Sequence, residues 1–205
     1  MDRPGPREHA GAMDVAELHR RTVETWAARV RAVAADQWDG PTPCTDWNVR
    51  ELVNHVVGED AWTMPLMRGA TIAEVGDSLD GDLLGEDPRA TGESLADEAV
   101  AVVAERLPAG EKVHLSYGDE DPAEYVWQLS ADHLIHAWDL AAATGQDRTL
   151  DAELVAAVAG WFAEREELYR GAGMVAPRVD TTSDDAQTQL LAAGGRDAGW
   201  TPPRP

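Results

Sequence analysis

Residues 130–145, SADHLIHAWDLAAATG, have the pattern of the second half of an amphipathic helix, but its apolar face carries ionisable side chains. Asp132 and His136 are four residues apart, so on a helix they lie one above the other, on the same side as Leu129 and Leu140. If this side of the helix faces the core, the side chains of Asp132 and His136 are buried. Burial of a polar group without a hydrogen-bond partner costs free energy. Asp132 and His136 therefore need a partner.

Composition limits the classes of protein to be considered. The chain has 205 residues, of which 43% are hydrophobic and 27% charged, as expected for one globular domain. Its net charge of −21 argues against a nucleic-acid partner, which would need a basic face. No run of about 18 apolar residues and no signal peptide is visible, so we expect a cytoplasmic protein without a membrane partner. The single cysteine, Cys44, excludes an internal disulfide and a cysteine-rich zinc module.

Helical periodicity dominates the chain and predicts an all-α fold. The predicted helices run from Asp14 to about Ala35, from Asn48 to Pro65, from Thr91 to Pro108, from Pro122 to Thr144 and from Asp151 to near Gly171. We expect a long connection over residues 66–90, an extended segment at KVHLSYG and a short helix at DAQTQLLAAGG.

These elements predict an up-and-down four-helix bundle with a long inter-helix connection and a short C-terminal appendage. The predicted division has three parts. Residues 1–12 form a flexible tail, residues 13–171 the bundle, and residues 172–205 an extension that packs on the bundle.

A second histidine occupies a comparable position on the second predicted helix. His55 shares a face with Leu52 and Trp62, so two helices each place His, or His and Asp, toward the core. Helical bundles build metal sites from facing helices in this way. Imidazole and carboxylate ligands suit zinc, nickel or iron(II), and three protein ligands leave coordination positions open, as in catalytic sites.

Spacing alone leaves other interpretations open. A single His on an apolar face is more often a core residue with its hydrogen bonds satisfied. Asp132 and His136 can simply bond to each other, as neighbours on one helix face do. Glu59, four residues after His55, offers an alternative ligand pair.

Three motifs together resemble the DinB-like superfamily. They are PTPCTDWNVRELVNHVVGEDAW at 41–62, SADHLIHAWDLAAATG at 130–145 and GRDAGW at 195–200. The chain is similar, over about residues 13–200, to the actinobacterial branch related to the N-terminal domain of mycothiol-dependent maleylpyruvate isomerase. This resemblance implies a four-helix bundle with a divalent metal, held by a His on the second helix and by an acidic residue and a His on a later one.

Carried over to this sequence, the resemblance implies three metal ligands. They are His55 in NHVVG, His136 in HAWDL, and Asp132 one helical turn before His136. It implies a divalent metal, with zinc preferred and nickel or iron as alternatives. Asp139, on the same helix face, is a candidate for orienting an imidazole from behind, with a structural hydrogen bond as the alternative. Trp62 and Glu59 are candidates for the pocket.

The sequence also departs from the isomerase. Asp132 replaces the Glu that the isomerase has, and the sequence ends before a second domain that in the isomerase supplies an essential arginine. We therefore expect a different reaction, transfer of a small thiol such as mycothiol to an electrophile. The alternatives are a non-catalytic metal- or small-molecule-binding protein and a purely structural Asp/His cluster. We expect a monomer or homodimer, a packing or hydrogen-bonding role for His133, and a half-buried core position for Cys44.

Overall fold

The computed structural model describes residues 13–203, and within them the protein is a helical bundle of the all-α class with one small two-stranded hairpin. The predicted tail, residues 1–12, lies outside the described residues. The elements are α1 (Val15–Arg31), α2 (Val49–Met67), α3 (Ile72–Val75), α4 (Pro88–Arg106), a 3-10 turn (Leu107–Ala109), β1 (Val113–Leu115), β2 (Gly118–Glu120), α5 (Pro122–Thr144), α6 (Ala152–Ala163), α7 (Glu166–Gly171) and α8 (Ala186–Ala193). No helix in this part of the chain is both long and apolar enough to cross a membrane.

Local signals explain where the helices of the bundle begin. Asn48 and Glu51 form a reciprocal capping box at the start of α2, and Asp14 caps α1 through its side chain. Pro122 occupies the first turn of α5, and Gly145 ends that helix in the left-handed conformation that glycine favours. These boundaries agree with the sequence prediction.

Four predicted boundaries were wrong. α1 already ends at Arg31, four residues before the expected end. Helix α2 continues past Pro65 to Met67, since a proline this close to the C-terminus costs only one hydrogen bond of the last turn. α4 begins at Pro88 and not at Thr91, because Asp87 caps it by accepting from the Ala90 amide.

The fourth error concerns the predicted helix from Asp151 to Gly171, which is two helices, α6 and α7. The break lies at Arg165, whose backbone leaves the helical conformation. The Arg165 side chain donates from Nε and Nη2 to the carboxylate of Glu124 on α5, a contact that no local pattern reveals.

The bundle is formed by α1, α2, α4 and α5, and its helices form two parallel pairs. Gln146, just after α5, donates to the carbonyl of Arg29 near the end of α1. Arg106, at the end of α4, likewise donates to the carbonyl of Met67 at the end of α2. The order differs from a simple up-and-down alternation because the long connection returns the chain to the start of α2, where Arg50 binds the Gly85 carbonyl.

α5 is the central helix. Seventeen of its residues are buried, and they contribute to all three hydrophobic clusters of the described chain. Leu190 and Leu191 of α8 are also buried, in the same cluster as Leu134 and Trp138 of α5. The bundle therefore encloses α5 on nearly all sides.

The core of the bundle contains a buried polar group that the sequence analysis did not single out. His19 of α1 is 1% exposed, and neither of its ring nitrogens has a hydrogen-bond partner among the described residues. Its ring lies edge-on to that of His133, with centroids 5.8 Å apart. Burial, and then the neighbouring charge of His133, lower the pKa of His19 to about 3.

This pKa predicts an acid-sensitive contribution to stability. Because the folded pKa lies below the unfolded value of about 6.5, the contribution is complete above pH 6.5 and is lost as pH falls toward 3. We expect His19→Leu to reduce the dependence of the unfolding free energy on pH between 6.5 and 4.5 by about 1 kcal/mol per pH unit, measured by urea denaturation. His114→Leu, in the hairpin, is the matched control; an equal change in both variants would contradict the assignment.

Candidate metal centre

Helices α2 and α5 bring three predicted ligands together. His55 Nε2 lies 3.5 Å from Asp132 Oδ2, and His136 Nε2 lies 3.3 Å from Asp132 Oδ1. The ligand atoms of all three side chains are within 4.8 Å of one another. Asp132 and His136 are one turn apart on α5, so the helix itself directs both toward His55. The carboxylate thus lies between two imidazoles.

The Asp132 carboxylate is incompletely bonded in this arrangement. Its Oδ2 atom is buried and has no hydrogen-bond partner among the described residues. The 3.5 Å separation from His55 Nε2 is longer than an ordinary hydrogen bond. A buried carboxylate oxygen needs a proton donor or a cation. Two imidazole nitrogens and one carboxylate are a donor set that a borderline divalent metal prefers, so the three residues fit such an ion.

The electrostatics of the cluster favour a cation. Burial raises the pKa of the Asp132 carboxyl, but the His136 and His55 imidazoles outweigh burial and hold that pKa well below its usual range. Burial lowers the pKa of His136, yet Asp132 and Asp139 together raise it well above its usual value. A positive charge between these carboxylates is therefore favourable, whether a proton or a metal provides it.

Asp139 contacts His136 from the side opposite Asp132. The Asp139 Oδ2 atom lies 2.9 Å from His136 Nδ1, and the Asp139 side chain is fully buried. A carboxylate at Nδ1 fixes the orientation of the ring and leaves Nε2 directed at Asp132. Arg196 Nη2 lies 3.0 Å from the same Asp139 oxygen and neutralises it. Burial raises the pKa of Asp139, but Arg196 and His136 lower that pKa by more than burial raises it. The pKa of Asp139 is therefore below its usual value, and the carboxylate stays ionised.

A second group of potential ligands shares His136 with the first. It consists of Cys44, His136 and Asp139. Arg196 Nη2 lies 3.2 Å from Cys44 Sγ, and Cys44 Sγ lies 3.3 Å from Asp139 Oδ2. The guanidinium thus already provides the positive charge that a metal would bring. Charge compensation favours the group of His55, Asp132 and His136 as the metal centre.

The cluster opens into a large cavity of about 870 Å³. Its lining residues include Trp161 of α6 and Trp47, whose ring is tilted by 30° against that of His55 with centroids 4.6 Å apart. Glu59 lines the cavity. Trp62 does not line it, and the prediction of Trp62 as a pocket wall was wrong.

The reason for that error is the position of Trp62 on α2. Its ring packs on the cluster that contains Leu66 and Val126, neither of which lines the cavity. His133, for which a packing or hydrogen-bonding role was expected, is buried on α5. His133 Nδ1 lies 2.7 Å from the Leu129 carbonyl and its Nε2 3.1 Å from Asp60 Oδ1, which is a buried hydrogen-bonding role.

Arg196 and Trp47 are the site residues that sequence reasoning missed. Arg196 lies in the GRDAGW motif, which contributed to the family resemblance. The motif did not predict the contact of Arg196 with Asp139, because no local sequence pattern shows that the C-terminal segment returns to α5. Trp47 directly precedes Asn48, the cap of α2, and was not among the candidate site residues. An aromatic residue next to a cap, about two helical turns before the candidate ligand His55, was the available signal for Trp47.

A bundle with a carboxylate between two imidazoles, facing a cavity, has the architecture of a DinB-like protein. The family model named mycothiol maleylpyruvate isomerase N-terminal domain matches residues 19–141. Two uncharacterized proteins from two strains of Mycobacterium tuberculosis are 36% identical over 148 residues, which is 69% of this chain and 74% of each relative. No solved structure matches the chain.

The chain therefore belongs to the mycothiol maleylpyruvate isomerase N-terminal domain family. This finding confirms the family resemblance for the first motif and most of the second, whereas the third motif, at 195–200, lies outside the matched residues. The match links the chain to a family of mycothiol-related enzymes and DinB-like metal-binding proteins. The matched segment contains His55, Asp132, His136 and Asp139.

The buried pair of Arg196 and Asp139 yields a stability prediction. Arg196→Met leaves the Asp139 carboxylate buried without its cation, so we expect a loss of about 3 kcal/mol in unfolding free energy, measured by urea denaturation. Arg178→Met is the matched control, because Arg178 is 41% exposed and its pair with Glu166 is worth less than about 1 kcal/mol. Equal small losses in both variants would show that the buried pair does not stabilise the site.

Proposed function

We propose that the protein binds a divalent metal through His55, Asp132 and His136 and transfers a small thiol, mycothiol by its family, to an electrophile. The observation that supports the metal most strongly is the buried, unpartnered Asp132 Oδ2 between two imidazoles at the edge of a cavity. Zinc is the preferred ion for two imidazoles and one carboxylate, with nickel and iron(II) as alternatives.

The protein side of the reaction follows from the positions of the residues. His55, Asp132 and His136 would hold the ion at the cavity wall, and Asp139 would keep the His136 ring oriented through Nδ1. The metal, when bound, supplies the positive charge that lowers the pKa of a nearby thiol. The thiol sulfur then bonds to the electrophilic carbon, its proton passes to solvent, and the leaving group departs with its electron pair.

The cavity would provide binding and exclusion of water. Its lining includes the aromatic side chains of Trp47, Tyr125, Trp161, Phe162 and Tyr169 on the walls around the cluster. Apolar walls bind the body of an organic substrate and raise the strength of charge interactions at the reacting atoms. The volume of about 870 Å³ is large enough for a thiol and a second molecule together.

Metal content tests the proposed ligand set. We expect about one zinc, nickel or iron ion per chain in untagged protein and almost none in Asp132→Ala, because the variant removes the only carboxylate of the set. Elemental analysis after dialysis measures both. Cys44→Ser is the control that distinguishes the two overlapping groups, and it should keep its metal. Loss of metal in Cys44→Ser with retention in Asp132→Ala would assign the ion to the other group.

Turnover tests the transferase itself. We expect the metal-loaded protein to accelerate the transfer of mycothiol to an electrophile that carries a leaving group, and His55→Ala to lower the rate at least about 100-fold through loss of the ion. The rate of thiol consumption measures this. Stoichiometric metal without turnover would favour the non-catalytic binding protein, and an empty protein that refuses added metal would leave a structural Asp/His cluster.

A further inference from the structure

His136 is shared by two groups of potential ligands, one at each nitrogen of its ring. At Nε2, Asp132 Oδ1 lies 3.3 Å away, and His55 completes the group. At Nδ1, Asp139 Oδ2 lies 2.9 Å away and Cys44 Sγ 3.9 Å away. A metal can bind an imidazole through either nitrogen. The positions of the ligand atoms alone therefore do not decide which side of the ring holds an ion.

The donor atoms favour the group at Nδ1. It offers a thiol, an imidazole and a carboxylate, and thiolate sulfur is a ligand that zinc binds readily. Cys44 and His136 both line the cavity, so an ion that enters the cavity can reach this group as well. A protein that uses the group at Nε2 therefore needs a feature that excludes the ion from Cys44 and Asp139.

Arg196 is that feature. Its Nη2 atom lies 3.0 Å from Asp139 Oδ2 and 3.2 Å from Cys44 Sγ, and its Nε atom lies 3.2 Å from the same oxygen. A zinc ion would need the same sulfur and oxygen lone pairs at about 2.0–2.3 Å, next to a guanidinium that is always charged. The ion and Arg196 therefore compete for one position, and their charges repel. On the Nε2 side, Asp132 has no lysine or arginine partner among the described residues.

The turn after α8 directs Arg196 at α5. Gly195 has a φ of +80°, in the left-handed region that favours glycine, and a Cβ there would lie 2.7 Å from Ala176 Cβ. Beyond this turn, Arg196 Nη1 donates to the Gly194 carbonyl, and the Arg196 side chain is largely buried. Arg196 also lies outside residues 19–141, which the family model matches, so its contacts are a feature of this chain beyond that match.

We propose that Arg196 selects between the two ligand groups and keeps the thiol of the protein itself off the metal. The inference rests on the proposed function for the ion and for the thiol substrate, but its own content is the choice between the two sides of His136. Ligation by Cys44 would place a thiolate on the ion, release the thiol proton to solvent and occupy a coordination position. By preventing this, Arg196 leaves the open positions to the substrate thiol. Arg196 acts through Cys44 and Asp139 and is therefore a positioning residue.

Cobalt(II) spectra test the selection, with the full chain loaded in the absence of added thiol. We expect no thiolate-to-cobalt charge-transfer band in the wild type and the band of one thiolate per chain in Arg196→Met, because the substitution frees Cys44 and Asp139. The double variant Arg196→Met/Cys44→Ser should lose the band. Arg178→Met, at an exposed pair with Glu166, is the matched control and should keep the wild-type spectrum.

Asp132→Ala tests the selection with Arg196 in place, and it decides the question if Arg196→Met does not fold. This variant removes the carboxylate of the group at Nε2 and leaves Cys44, His136 and Asp139 intact. We expect its cobalt spectrum to show no charge-transfer band, because Arg196 still blocks the group at Nδ1. A band in Asp132→Ala would overturn the inference, since cobalt would then bind Cys44 beside the guanidinium.

Binding of an added thiol tests the consequence for the substrate. In the cobalt-loaded wild type, 2-mercaptoethanol should produce a charge-transfer band as it enters an open position. In Arg196→Met we expect its dissociation constant to rise at least about tenfold, because the ion already carries one thiolate. Equal affinity in the two proteins would overturn the claim that Arg196 keeps positions open.

The outcomes separate this inference from the proposed function. A folded Arg196→Met with the wild-type spectrum overturns the inference and leaves the proposed metal centre in place. A wild type that binds no cobalt, beside an Arg196→Met that shows the band, supports the inference and contradicts that centre. A band in the wild type that Cys44→Ser abolishes overturns both.

Discussion

The enclosure of α5 is the constraint on which the rest of the structure depends. The helix is buried on nearly all sides, yet four of the eight positions from Asp132 to Asp139 carry ionisable side chains. Neighbouring elements must supply a partner for each, because an unpaired charge in a core is costly. Asp60 of α2 pairs with His133, and Arg196 of the C-terminal segment pairs with Asp139.

Asp132 is the member of this series whose partners in the protein are insufficient. His133 and Asp139 each pair with one oppositely charged side chain, Asp60 and Arg196, and neither pair gives its carboxylate access to the cavity, although Asp60 Oδ2 is also buried without a hydrogen-bond partner among the described residues. Asp132 instead lies at the wall of the cavity, with about a third of its side chain exposed, between two imidazoles that do not satisfy its Oδ2. The same helix thus supports two structural ion pairs and one site with capacity for an added cation. That contrast, more than the identity of the residues, supports a metal centre.

The sequence contained most of the helix positions and the inward faces, because capping residues and a 3.6-residue period are local signals. It also placed His55 on the correct face to meet Asp132. It could not show the parallel pairing of α2 with α4, the break at Arg165 or the return of Arg196 to α5, since each depends on contacts between residues far apart in the chain. Trp62 was misassigned for a related reason: periodicity gives a face, not a depth along the bundle.

The most direct test of the account is the absorption spectrum of cobalt(II)-substituted protein before and after addition of a thiol. Ligation by His55, Asp132 and His136 predicts a spectrum without thiolate-to-cobalt charge transfer, and the added thiol should produce that band by entering an open position. A charge-transfer band present before the thiol is added, and abolished in Cys44→Ser, would contradict the account, because it would place the ion among Cys44, His136 and Asp139.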